Sequence, residues 1–351
     1  MRKILAFLFL FHRLLFALAI TCSTAFVLFC VCSLGGVISK TEWIASWDWS
    51  AMIGKPICVA PTGDVCGDGV VWHAAHNAVY WTDINRFLIH RLNVADHSVR
   101  TWTFDEPVTA LALTDREDVL LVVLGSQVIL WEPAVDKRHE PILKLEQFPK
   151  VRFNDARCDP RGSLWIGSMR NNVNADGSSS EAGGQDGVLI RVDPDRKVSS
   201  WRTSVGISNT LAWSPDRRRF YFGDSLGNVI WVYDYDFSTG EISNECPFLE
   251  GFAAGVPDGS TVDAEGYLWN CRFFGNCIVR VAPNGKIERV IEMPAQNITT
   301  CTFGGADLTT LYVTSASAEA PRGDHLAGSL FAIQTKIKGQ PENCFRFFGD
   351  E

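Results

Sequence analysis

Four oxygen-bearing side chains, Asp68, Asn154, Asn209 and Asp258, hold the same place in four repeats of this chain. Each lies five residues before a landmark that ends a strand-like run: His73 in CGDGVVWH, Asp159 in FNDARCD, Ser214 in SNTLAWS and Asp263 in PDGSTVD. The same offset sets Thr109 before Thr114 and Thr300 before Gly305. The six positions are 41, 45, 55, 49 and 42 residues apart, a period that marks a repeat architecture. If the repeats close into a ring, equivalent positions face one axis. Two carboxylates and two carboxamides then converge, and a hard divalent cation takes oxygen ligands of this kind. With no His or Cys among them, calcium, magnesium or manganese suits the set better than zinc. The competing reading is a polar, water-filled channel that only solvates these side chains.

The elements that must position them are short. The third repeat runs from Ala156–Cys158 through the turn DPRG into SLWIGSM and then GVLIRVD; the fourth runs TLAW, SPDRR, RFYFGDS, VIWVYDYD. Strand-sized apolar runs bounded by Asp, Asn, Gly or Pro recur in all six units, and no long stretch with a period of 3.6 follows residue 45. This pattern predicts an all-β chain folded as a six-bladed β-propeller over residues 64–351. The 12 Trp and 22 Phe suit that class, since aromatic side chains favour pleated, half-buried surfaces. The third repeat carries an insertion, residues 171–187, rich in Gly, Ser, Asn and Asp. It reads either as a surface loop or as a lid over the mouth of the ring.

The N-terminus is a separate object, with residues 1–40 read as an apolar helix and 41–63 as a linker. Leu14 to Val37 is 24 residues without a charge, long enough to span a bilayer. Arg2, Lys3 and Arg13 precede it, which predicts an anchor with the N-terminus in the cytoplasm and the propeller on the other side. A cleaved signal peptide and secretion is the second reading; translation from Met52, giving a cytoplasmic protein, is the third. The net charge of -8 and the lack of a basic stripe argue against a nucleic-acid partner. Oligomeric state has no signature here.

Of the 11 cysteines none forms a CxxC, so a zinc site is not expected. Cys158 and Cys301 sit in strand patterns and read as buried small hydrophobes. Cys58–Cys66 and Cys271–Cys277 are near enough in sequence to pair in an oxidising compartment. Asn297-Ile298-Thr299 is a glycosylation sequon. Beside the ring lie Arg152 and Asp155; Arg152 is either a fork for a substrate oxygen or a partner in a salt bridge.

Five blocks, GDGVVW…VYWTDI, RFNDARCDPRGSLWIGSM, GISNTLAWSPDRRRFYFGDS, VPDGSTVDAEGYLW and TTCTFGGADLTTLYVTSA, resemble the family of gluconolactonases, senescence marker protein (regucalcin) and luciferin-regenerating enzyme. They run in family order from about residue 64 to 333. The resemblance implies a six-bladed propeller with one divalent cation near the axis, most often calcium, with manganese, magnesium or zinc as alternatives. It implies metal ligands at Asp68, Asn209 and Asp258, substrate contacts from Arg152 and Asn154, and Asp258 as general base in lactone hydrolysis. Three features depart from the family pattern. Asp68 stands where Glu is usual, NDG reads Asn154-Asp155-Ala156, and the apolar N-terminus has no counterpart in the cytosolic members.

The resemblance implies hydrolysis of a sugar-acid lactone or similar cyclic ester, and no Ser-His-Asp set suggests an acyl-enzyme. A phosphotriester hydrolase on the same ion, and a non-enzymatic calcium- or ligand-binding propeller, are the rival readings.

Overall fold

The computed structural model describes residues 52–347, and the readings made for Leu14–Val37 and the rest of the N-terminal segment lie outside them. Among the described residues every regular element is a strand, and no helix is long and apolar enough to cross a membrane.

Six sheets form six blades, antiparallel but for the short parallel pairing of Cys344–Phe345 with Leu113–Thr114 in blade 2. Their first strands are Gly67–His73, Val108–Thr114, Val151–Cys158, Ser208–Trp213, Val256–Val262 and Asn297–Gly304, for blades 1 to 6 in order. These six strands touch one another in a closed ring, the first against the last, and so line the axis. Closure pairs the first described strand with a late one. Ile57–Ala60, within the stretch read as a linker, pairs with Leu330–Gln334 and is the outermost strand of blade 6.

Each seam between neighbouring blades holds one apolar cluster, six in all among the described residues. A blade is apolar on both faces and can bury them only against its neighbours, which is why the repeats fold as a ring. Trp81, Trp131, Trp165, Trp213 and Trp269 are fully buried in these seams. Truncating one of them to Ala would cost about 3–5 kcal/mol.

The landmark residues fix the register of the inner strands. Asp159 Oδ1 accepts from the backbone N–H of Arg161 (2.9 Å) and Ser163 (3.0 Å), and its Oδ2 accepts from Trp165 Nε1 (3.0 Å). Asp263 repeats this with Glu265, Tyr267 and Trp269 Nε1. The carboxylate closes the turn and ties it to the seam tryptophan, so the strand before it cannot slip.

All eight described cysteines are free, with Cys158 and Cys301 buried as expected. Cys271 and Cys277 cannot pair because of strand alternation. Cys277 lies opposite Arg272, so Cys271 projects from the other face, into the next seam. The sequon is closed as well: Asn297 is fully buried, its Nδ2 donates to Ala318 O (2.7 Å) and its Oδ1 accepts from Phe274 N (3.3 Å).

Candidate metal and substrate site

Every inner strand is broken at the same place. Register slips fall between Asp68 and Val71, Val108 and Ala110, Phe153 and Ala156, Asn209 and Leu211, Pro257 and Ser260, and Ile298 and Cys301. Each is a β-bulge, which bends the strand and re-aims one side chain. The six sequence positions stand within or directly beside these bulges. The constant spacing of five residues is therefore the distance from bulge to turn.

The bulges bring together the residues expected from sequence. Asn154 Nδ2 donates to Ser208 O (2.8 Å) and to Asn209 Oδ1 (3.1 Å), linking blades 3 and 4. Asn209 Nδ2 donates to Ser225 Oγ (2.8 Å), whose own proton goes to Pro257 O (2.6 Å) in blade 5. Ser225 must then accept from the amide nitrogen, which assigns Asn209 Oδ1 to the channel with one lone pair unused. Asp68 accepts from Gly69 N (2.8 Å) and is partly open to the channel; Asp258 is buried. Arg152 is buried, and its Nη1 donates to Phe153 O (2.9 Å) and Asn154 Oδ1 (2.6 Å). Its Nε and Nη2 both donate to Asn172 Oδ1 (3.2 and 2.8 Å). Four of the five guanidinium N–H groups are thus engaged, and one on Nη2 is left for a further oxygen. Arg152 is not a salt-bridge partner; neutral oxygens hold it.

Crowding sets the electrostatics. Burial, and then the Asp155 charge, push Asp68 up to about 7. Burial raises Asp155 to about 6. Asp258 rises well above the usual carboxylate range, through burial first and then Asp68 and Asp155. Burial lowers Arg152 to about 10, against the pull of Cys66 and Asp68. Burial first, and then Asp68, Asp258 and Asp83, raise the Cys66 thiol well above its ordinary value.

Several of these contacts had no repeat signal. Asn172 comes from the insertion, which also reaches blade 1: Asn85 Nδ2 donates to Gly177 O (2.8 Å) and Ser179 Oγ (3.0 Å). The insertion thus leaves blade 3 and is held to blade 1. Arg157, two residues after Asp155 and half-buried like it, donates to Ser260 O (2.8 Å) and lies 3.5 Å from Glu342. Period-2 alternation could have found Arg157; nothing local points to Glu342. It belongs to a C-terminal segment that crosses the other end of the channel, bonding Asp263 and Ala264, Trp213, Cys158 and Leu113–Thr114 in turn.

Among the described residues no three His, Cys, Asp or Glu side chains form a ready metal cluster. The ring instead offers two carboxylates, Asp68 and Asp258, and the carboxamide oxygen of Asn209. The donor set is all oxygen, and the charged form of its carboxyl groups is disfavoured by burial first and then by neighbouring carboxylates. A hard divalent cation relieves that repulsion, so the residues fit one.

The family model described as "SMP-30/Gluconolactonase/LRE-like region" matches residues 66–317. The chain belongs to this family. Among its relatives, the pentonolactonase of Haloferax volcanii is 33% identical over 302 residues, covering 81% of this chain and 96% of that one. The 6-deoxy-6-sulfogluconolactonase of Pseudomonas putida is 32% identical over 298 residues, covering 82% and 97%. Among solved structures, the calcium-binding protein regucalcin from Agrobacterium tumefaciens superposes with a TM-score of 0.77 at 25% identity, covering 84% of this chain and 98% of that one. The six-bladed propeller expected from sequence is the fold of this SMP-30 family member.

Proposed function

We propose that this SMP-30 family chain is a divalent-metal-dependent lactonase that opens a sugar-acid lactone. What supports the reading is that Asp68, Asn209 and Asp258 stand at equivalent bulges of the inner strands, with Asp68 close enough to raise Asp258. The lactonase names among the relatives support lactone over phosphotriester as substrate.

A divalent cation bound there would supply Lewis acidity at the ester carbonyl and neutralise charge developing on its oxygen. Calcium is the ion we propose, on the all-oxygen donor set. The remaining work falls to the chain. Asp258 takes a proton from the attacking water as the water oxygen bonds to the carbonyl carbon. The ring C–O bond then breaks, the proton passes to the leaving alkoxide, and a hydroxy acid results. Arg152 offers its free Nη2 N–H to a substrate oxygen. Asn154 holds Arg152 and Asn209 in register and keeps one lone pair of Oδ1 for a substrate hydroxyl. The 171–187 insertion covers the mouth and the C-terminal segment crosses the far end, which together limit water around the substrate.

The test is a panel of aldonolactones assayed after chelation and after adding back calcium, manganese, magnesium or zinc. Metal-restored opening of at least one lactone is expected. Turnover indifferent to chelation, or no turnover of any lactone with any ion, would refute the proposal.

A further inference from the structure

Thr210 follows Asn209 directly and has φ 55°, in the left-handed region that β-branched residues rarely enter. Blade 1 has the same conformation after its own ring residue, but there the position is glycine, Gly69 at φ 56°. Two equivalent bulges thus demand one backbone shape; one uses the residue that adopts it freely, the other a residue that is strained in it. Strain of this kind persists where the surroundings enforce it and tends to mark functional positions.

The surroundings of Thr210 show what the side chain does. It is fully buried, and its Oγ1 donates to the backbone carbonyl of Asp258 (2.5 Å) across the seam between blades 4 and 5. The same Oγ1 accepts from Asn270 Nδ2 (3.2 Å) and lies 3.0 Å from Ser260 Oγ. Asn270 Nδ2 also reaches Asp258 O (3.1 Å), and its Oδ1 accepts from Arg272 Nη1 (3.2 Å). Space has been cleared for the threonine: a Cβ on Gly223 would lie 2.9 Å from Thr210 Cβ. The hydroxyl joins the residue after one proposed ligand to the main chain of another.

We infer that Thr210 is a positioning residue that sets Asp258 against Asn209, so that their oxygens present the spacing one divalent cation needs. This rests on the proposed metal site and adds the device that fixes its geometry. A glycine would give the bulge without strain but remove the bond to the Asp258 carbonyl itself, leaving the Ser225–Pro257 bond, one residue away, to hold the seam there.

Calorimetric titration of calcium into the wild type and the variants Thr210→Val, Thr210→Ser and Thr210→Gly tests it. Valine keeps the shape and the strain and removes only the donor; about tenfold weaker calcium binding is expected, equivalent to ~1.4 kcal/mol. Serine restores the donor and should bind within about threefold of wild type, since a hydrogen bond of this kind is most of the difference. Glycine should bind calcium as weakly as valine, yet melt above it in chelator, because the strain has gone. With saturating calcium, kcat should fall in the valine variant while KM stays near that of wild type. Melting in chelator verifies that each variant is folded. Calcium affinity in the valine or glycine variant equal to that of wild type overturns the inference and leaves the proposed function standing. Wild-type calcium binding with no lactone opened refutes the function and leaves the role of Thr210 standing. A wild type that binds no divalent cation overturns both.

Discussion

Asp258→Asn should act in opposite directions on activity and on the metal-free fold. In chelator, Asp258 is a buried carboxyl whose neighbours Asp68 and Asp155 disfavour its charge. It holds its proton to higher pH than the unfolded chain does, and that difference costs stability near neutral pH. Asparagine has the same outline, keeps an oxygen to accept from Gly259 N–H, and carries no charge to suppress. Channel water and local relaxation reduce the benefit, so a gain of about 2 kcal/mol is expected, or about 4 °C in Tm for a chain of this size. The pH dependence has the same origin. A carboxyl whose folded value is raised binds more protons folded than unfolded between the two values, so stability falls as pH rises through that window. For the metal-free wild type, with Asp155 at about 6 and Asp68 at about 7, stability should decline from about pH 4 to pH 7. The decline should be shallower in Asp258→Asn. Excess calcium should reverse the ranking, since the wild type gains stability from binding and the variant gains little. Differential scanning fluorimetry in chelator and in calcium at several pH values, beside a lactonase assay, reads all of this. An Asp258→Asn protein that melts below wild type in chelator near neutral pH, or that turns over lactone like wild type, would refute the reasoning.

Three further outcomes are expected. Asn154→Ala should raise KM more than it lowers kcat, because Arg152 loses its Oδ1 anchor and swings out of position; steady-state kinetics on one lactone decides it. Asp68→Glu should keep calcium binding and tighten it, the longer side chain reaching further into the channel; a weaker calorimetric Kd would show that the blade 1 bulge is fitted to Asp. Asn85→Ala removes the two bonds that latch the insertion to blade 1, worth about 1 kcal/mol each, so residues 171–187 should be cut faster in limited proteolysis and KM should rise.

The propeller and its ring of oxygens were legible in the sequence because they rest on local rules. The bulge and the turn that follows it lie on one strand, so their separation is written as a fixed count of residues in every repeat. The burial of Cys158 and Cys301 followed from strand pattern alone. What the sequence left open were questions about which distant segments meet. Cys271 and Cys277 are six residues apart yet face different seams, because the hairpin register sets them on opposite faces. The 171–187 insertion is tied down by its meetings with Asn85 and Arg152, contacts of blades 1 and 3 that no period predicts. Thr210 carries no signal of its own in SNTLAWS; its hydroxyl meets a carbonyl 48 residues away that only the seam brings within reach. Local spacing determines which side chain a strand aims at the axis. The packing of six blades determines which hydrogen-bond donors, carboxylates and chain ends share that axis with it, and hence how each group is charged and what it can hold.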